Sequence, residues 1–299
     1  MNATPNTLDD YLKALREALR GADPALVQDA LYDAEEHIRT MIAERPGTSE
    51  AEVLAEVAGS YGAPDEVADI YRDTEIKITR ALKPPPPRPA SSPLARVLAI
   101  YTDPSAYGAL FYMLLALATG VFYFSWTTTG IGLSLGFAIL IIGLPFLVLF
   151  IGSLRLLMLI EGRLVETLLG QRMPRRPAQL PHQGGWLARI GAMFSDPRTW
   201  IGTAYLLLMM PLGIVYFTLT TVVLSSAFSI AFAPLIEHLV PGVQILTIND
   251  WHPDFQLWML PFTLLFGAVV LTAYMHLARG IGRLHGKLAK HMLVRPSAD

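Results

Sequence analysis

The sequence predicts an all-α protein: an N-terminal small helical bundle followed by a polytopic α-helical membrane domain built from two duplicated helical hairpins. Three observations predict this. Charge is segregated: residues 1–83 hold 17 of the 25 acidic and 9 of the 23 basic residues, leaving an apolar, mildly basic remainder. That remainder contains four long uncharged runs, at 108–127, 131–154, 201–234 and 257–276, the last broken only by His276. Uninterrupted apolar stretches of about 18 residues or more read as membrane spans. Finally, "DPSAYGALFYMLLALATGVFYF" at 103–124 is echoed 93 residues later by "DPRTWIGTAYLLLMMPLGIVYF" at 196–217.

The head comes first. Thr7 precedes "LDDYLKALREALRG", with Asp10 at the third helical position and Gly21 at the end, a capped helix whose stripe is Leu8, Tyr11, Leu12, Leu15 and Leu19. Asp23-Pro24 opens a second helix to about Glu44, because aspartate accepts free amide bonds and proline loses nothing in a first turn. Ser49 and Glu52 form a capping box for a third helix ending near Gly62, and Pro64 opens a fourth. Glu35, Glu36 and His37 on the second helix read as a solvated acidic face, since adjacent residues do not share a helix face.

Residues 7–75 resemble the HAAS domain, the HTH-associated alpha-helical signalling domain of bacteria. The resemblance lies in "YLKALREALRG", "YDAEEHI" and "GTSEAEVLAEVAGSYGAPDEVADIYR". It implies a signalling adaptor, often paired genetically with PadR-type regulators, and brings no enzymatic residues. The chain shows no helix-turn-helix of its own, so direct contact with nucleic acid is not expected.

The expected division is a cytoplasmic HAAS-like domain at 1–83, a Pro-rich linker at 84–98 and a four-span domain at 99–299. The linker contains "KPPPPRPASSP", which favours an extended polyproline II rod. The repeats cover about 99–170 and 192–292. Asp103-Pro104 aligns with Asp196-Pro197, Tyr112 with Tyr205, Gly120 with Gly213, and Tyr123-Phe124 with Tyr216-Phe217, without a gap. Further on, "LPF" at 144–146 recurs at 260–262, and "GRL" at 162–164 recurs at 282–284. The "TTTG" at 127–130 reads as the turn of the first hairpin. A helix over 201–239 would be about 58 Å long, nearly twice the hydrocarbon core, so segment 223–240 is expected to break into an interfacial or re-entrant helix.

Positive charge sets the sidedness. Arginines 163, 172, 175, 176, 189 and 198 lie between the hairpins, and five basic residues follow Ala278, whereas none lies between Thr199 and Ala278. Cytoplasmic loops carry such an excess. The expected place is therefore the bacterial inner membrane, with both termini cytoplasmic. Residues 98–292 resemble the bacterial "putative sensor" membrane domain, in the paired "DP" entries, "PLGIVYF", "GLPFLVL" and "RLVETLLGQRMP". In that family the domain often precedes a histidine kinase, which this chain lacks, leaving the head as the output module.

Candidate sites are sparse. Asp103 and Asp196 read as structural helix caps. Glu237, His238, Asp250, His252 and Asp254 form a candidate sensing loop that could bind a cation or report pH, though their spacing matches no metal motif. Tyr123 and Tyr216 read as interface anchors, Arg155 as a snorkelling cation, and His276 as an intramembrane suspect. There is no cysteine, and no P-loop, HExxH or nucleophile elbow. No catalytic residue, metal or cofactor is expected. The expected function is a membrane sensor and signal transducer that touches lipids and a cytoplasmic regulator. The alternative is an accessory or assembly subunit of a membrane transporter, with a membrane protein as partner or as a homo-oligomer.

Overall fold

A computed structural model describes residues 5–82, 92–137, 143–176, 191, 194–240, 242–247 and 253–294. Thr7 starts helix α1 (Leu8–Ala18) by accepting the Asp10 amide at 3.2 Å. Asp23 accepts the Ala25 amide at 2.9 Å to start α2 (Pro24–Glu44). Ser49 and Glu52 exchange both capping-box bonds at the head of α3 (Glu50–Ser60), and α4 spans Pro64–Leu82. Leu8, Tyr11, Leu15 and Leu19 pack on Leu31, Ile38, Leu54 and Val67, giving the head its own core. Tyr11 takes part because its hydroxyl finds the Gly62 carbonyl at 2.8 Å, so no polar group is stranded. The expected acidic face on α2 is corrected in part. Glu35 is buried and accepts from Arg39 at 2.9 Å, while His37 stacks on Tyr61.

Residues 84–91 of the expected linker lie outside the described set, as does the proline run. Its last six residues are helical, as α5 (Pro93–Leu98), which leads through a 3-10 turn at Ala99–Thr102 into α6 (Pro104–Phe137). Then come α7 (Gly143–Leu169), α8 (Pro197–Leu239) and, after a 3-10 turn at Leu257–Met259, α9 (Leu260–Leu293). All four are long and apolar enough to cross a membrane. Phe111, Phe122, Trp126, Phe228 and Phe266 stay exposed on them, as lipid contact requires.

Two expected breaks are absent. The "TTTG" stretch is no turn: α6 runs through it to Phe137, so the second helix begins at Gly143 instead of Ile131. Thr127 and Gly130 are buried there, and Thr128 returns its hydroxyl to the Phe124 carbonyl at 2.8 Å. Tertiary packing thus overrides weak helix propensity. Segment 223–240 does not break either, because α8 is continuous from Pro197 to Leu239 across Pro211 and Pro234. Its C-terminal third is held by α9: Thr263 donates to the Ala231 carbonyl at 3.0 Å, and Gly267 sits so close that a Cβ would lie 2.6 Å from that of Ala231. Packing against a neighbour offsets the hydrogen bond each proline removes.

Contacts come in pairs that follow the 93-residue echo. A Cβ on Gly120 would lie 2.4 Å from the Met209 carbonyl oxygen, and one on Gly213 would lie 2.2 Å from that of Ala116. The backbones of α6 and α8 therefore touch at both glycines, each glycine meeting the residue four before the other. At the helix entries Asp103 accepts the Ser105 amide at 2.9 Å and Asp196 the Arg198 amide at 3.1 Å. Tyr107 donates to the Tyr101 carbonyl at 3.0 Å, and Trp200 to the Phe194 carbonyl at 2.8 Å.

Candidate functional site

Tyr112 and Tyr123 are eleven residues apart on α6, three turns, and so share one face. Tyr205 and Tyr216 repeat that spacing on α8. All four tyrosines converge on two polar side chains from the other helices: Glu161 of α7, fully buried, and His285 of α9, 2% exposed. Tyr112 donates to Glu161 Oε1 at 2.5 Å, Tyr205 to the same oxygen at 3.1 Å, and Tyr123 to Oε2 at 3.1 Å. The Tyr112 and Tyr205 hydroxyls also lie 2.6 and 3.0 Å from His285 Nε2, and Tyr216 lies 3.2 Å from Nδ1.

The arrangement has an approximate two-fold pattern. Tyr112 and Tyr205 each touch both Glu161 and His285. Tyr123 touches only the first of these, and its counterpart Tyr216 only the second. Glu161 and His285 are themselves equivalent in local sequence: "EGRLVETLL" at 161–169 lines up with "HGKLAKHML" at 285–293, an offset of 124. The expected "GRL" match implied 120, so the structure pairs these helices one turn further along.

Hydrogen counting defines the chemistry. A tyrosine hydroxyl has one proton to give. Three hydroxyls donate to Glu161, a set of bonds that an ionised carboxylate accepts in full. Tyr112 and Tyr205, having given their protons, can only accept from His285, so Nε2 carries hydrogen. The Nδ1 contact to Tyr216 works in either sense: Tyr216 donates to a neutral ring, or an imidazolium donates to Tyr216. Glu161 and His285 form no ion pair with Lys or Arg among the described residues.

The same two helices hold the head. Gly170, at φ +68°, turns the chain out of α7. This places Arg172 between Glu166 at 3.1 Å, Asp29 at 3.0 Å and Glu75 at 3.1 Å. Asp29 also accepts the Arg175 and Arg176 amides at 2.6 and 2.9 Å, and Arg176 pairs with Asp33 at 2.8 Å. From α9, Lys290 pairs with Asp23. Glu166 and Lys290 are counterparts under the 124 offset, each five residues beyond the buried polar group of its helix.

Of the residues expected to matter, Glu237 is occupied with structure: it accepts the Ile245 and Phe255 amides at 3.0 and 3.1 Å and closes the loop after α8. His238 and Asp254 are exposed, and Asp250 and His252 lie outside the described residues. No group of three metal-ligating side chains occurs among the described residues. Tyr123 and Tyr216 are not surface anchors but members of the buried cluster, because α6 and α8 extend well beyond them. His276 faces outward to the Val97 carbonyl at 3.0 Å. Arg155 does not snorkel freely; it reaches Thr199 at 3.1 Å and Asp196 at 3.8 Å. Glu161 and His285 escaped sequence reasoning because the apolar runs were ended at the first charged residue. The repeated eleven-residue tyrosine spacing is the signal in the sequence that could have found them.

A helical head gripped by a bundle of four helices, each long and apolar enough to cross a membrane, defines a multi-pass membrane protein. The family model described as "Putative sensor" matches residues 112–293, and the chain belongs to that family. The HAAS family model matches residues 10–69, the head. No curated protein and no solved structure matches the chain.

Proposed function

We propose that the chain is a signal-transducing sensor of the bacterial inner membrane. Its bundle reports a membrane or envelope cue to its own head, and the head passes it to a cytoplasmic regulator. The supporting observation is that α7 and α9 each carry one half of the buried polar centre and, five residues on, one half of the grip on the head. A change in how Glu161 or His285 is held must move Glu166 or Lys290, for a helix transmits displacement along its axis. Both termini are cytoplasmic in this reading: positive charge is concentrated between the hairpins and after the last span, and Arg172, Arg176 and Lys290 from those stretches pair with the head. No catalytic step enters this reading, in which the polar atoms of the centre bond to one another.

The test reads head position. The chain has no cysteine, so spin labels can be placed cleanly through Glu17→Cys on the head and Thr167→Cys on the bundle. In nanodiscs at fixed pH, the double variant Tyr112→Phe/Tyr205→Phe is expected to broaden and lengthen the distance distribution. An unchanged distribution would overturn the coupling.

A further inference from the structure

We infer that the sensed cue is the proton, taken up at the Glu161–His285 pair; this rests on the sensor reading above. The site leaves room for no larger ligand. Glu161 is wholly buried, both its oxygens are filled by tyrosine hydroxyls, and both nitrogens of His285 face hydroxyls. The groups facing the pair are Tyr112 and Tyr123 from α6 and Tyr205 and Tyr216 from α8, with Met209 Sδ 3.9 Å from the Tyr112 hydroxyl. The charged neighbours on α7 are engaged elsewhere: Glu166 pairs with Arg163, Arg172 and Arg175.

The centre therefore has two forms. With His285 neutral and Glu161 ionised, the centre holds an uncompensated negative charge in an apolar bundle, which is costly. One added proton at Nδ1 turns the ring into a donor toward Tyr216 and makes the centre neutral overall. Tyr112 and Tyr205 bridge the two charges and let the proton's position be shared between α7 and α9. The protonated form favours close packing of these helices and a docked head. Loss of the proton favours spreading of α7 and α9, which separates Glu166 and Arg172 from Lys290 and loosens the head.

The experiment is the same distance measurement in nanodiscs between pH 5 and 9, with the unmodified centre, with Glu161→Gln and with His285→Gln. The unmodified centre is expected to give one transition with the steepness of a single proton, docked at the acid end. Each substitution is expected to flatten it, and Tyr216→Phe to shift its midpoint by removing the Nδ1 partner. Gel filtration and circular dichroism check folding; if Glu161→Gln fails to fold, His285→Gln and Tyr216→Phe carry the test. The same pH profile in all variants, or none in the unmodified protein, overturns the proton as cue. Should Tyr112→Phe/Tyr205→Phe still move the head at fixed pH, the coupling stands while the proton falls; if nothing moves the head, both fall.

Discussion

Arg279 of α9 reaches Asp103, the residue that caps α6, at 2.9 Å. At the equivalent place Arg155 of α7 approaches Asp196, the cap of α8, at 3.8 Å. Each arginine thus clasps the entry of the other half, and the two halves are tied crosswise. Burial alone would raise the Asp103 carboxyl, but hydrogen bonds from Ser105 and Arg279 outweigh it and hold the group below the usual carboxylate range. A depressed acid contributes stability that is present above its ordinary value and lost as pH falls through the depressed one. Asp103→Asn is therefore expected to lower the unfolding temperature at neutral pH, with the difference from the unmodified protein closing below about pH 4. Asp103→Arg combined with Arg279→Asp should recover part of the loss, read by thermal unfolding in detergent.

The glycine crossing yields a second prediction. A methyl at Gly120 or Gly213 would meet backbone carbonyl oxygen, which cannot step aside as a flexible side chain can. Gly120→Ala and Gly213→Ala should each destabilise the bundle by about 1–3 kcal/mol, the range for overpacking. Gly132→Ala, with nothing within 4 Å of its Cβ on the same helix α6, should be neutral or slightly stabilising. Equal thermal stability of all three variants would contradict the close approach.

The head's four helices were legible because Thr7, Asp23-Pro24 and Ser49/Glu52 are local signals: the cap and the helix it starts lie within four residues. The echo at 93 residues was legible for the same reason, as a pattern in one dimension. The helix ends of the bundle were not. Threonine and glycine at 127–130 and proline at 211 and 234 are breakers in water, yet here neighbouring helices hold them in helix. The polar centre was legible only in part. Four tyrosines at matched spacing were visible, but the partners that bury them, Glu161 and His285, sit 124 residues apart and meet only through tertiary packing.

Thr127 and Thr220 occupy equivalent places and are both fully buried. Thr220 accepts from the Tyr274 hydroxyl at 2.6 Å and donates to the Tyr216 carbonyl at 2.7 Å. Thr127 Oγ1 has no hydrogen-bond partner among the described residues. The residue 124 before Tyr274 is Phe150, which has no hydroxyl to offer. An unpartnered buried hydroxyl carries its desolvation cost with no return, about 1–3 kcal/mol. Thr127→Val should leave stability unchanged or raise it, whereas Thr220→Val should lower it by stranding the Tyr274 hydroxyl. Thermal unfolding of the two variants side by side separates these outcomes, and a larger loss for Thr127→Val would refute the argument.

Asp29 of α2 supplies the last prediction, and its sign is opposite to that of Asp103. Burial raises its carboxyl above the usual range; the Arg175 and Arg176 amides and the Arg172 guanidinium pull the other way without reversing the shift. For a raised acid the contribution to docking is fully present below the ordinary value and is lost as pH rises through the raised one. Asp29→Asn keeps an oxygen for the two amides but cannot titrate. It should hold the head at neutral pH more firmly than Asp29→Ala does, and show no strengthening on acidification from this position. Asp29→Ala leaves both amides without an acceptor and Arg172 with one carboxylate fewer, so it should populate the released head. The spin-label distance between positions 17 and 167 decides between them, and comparison with Asp29→Asn removes this residue's share from any pH profile of the bundle. If Asp29→Ala stays docked as firmly as Asp29→Asn, the amide contacts at 2.6 and 2.9 Å do not hold the head in place.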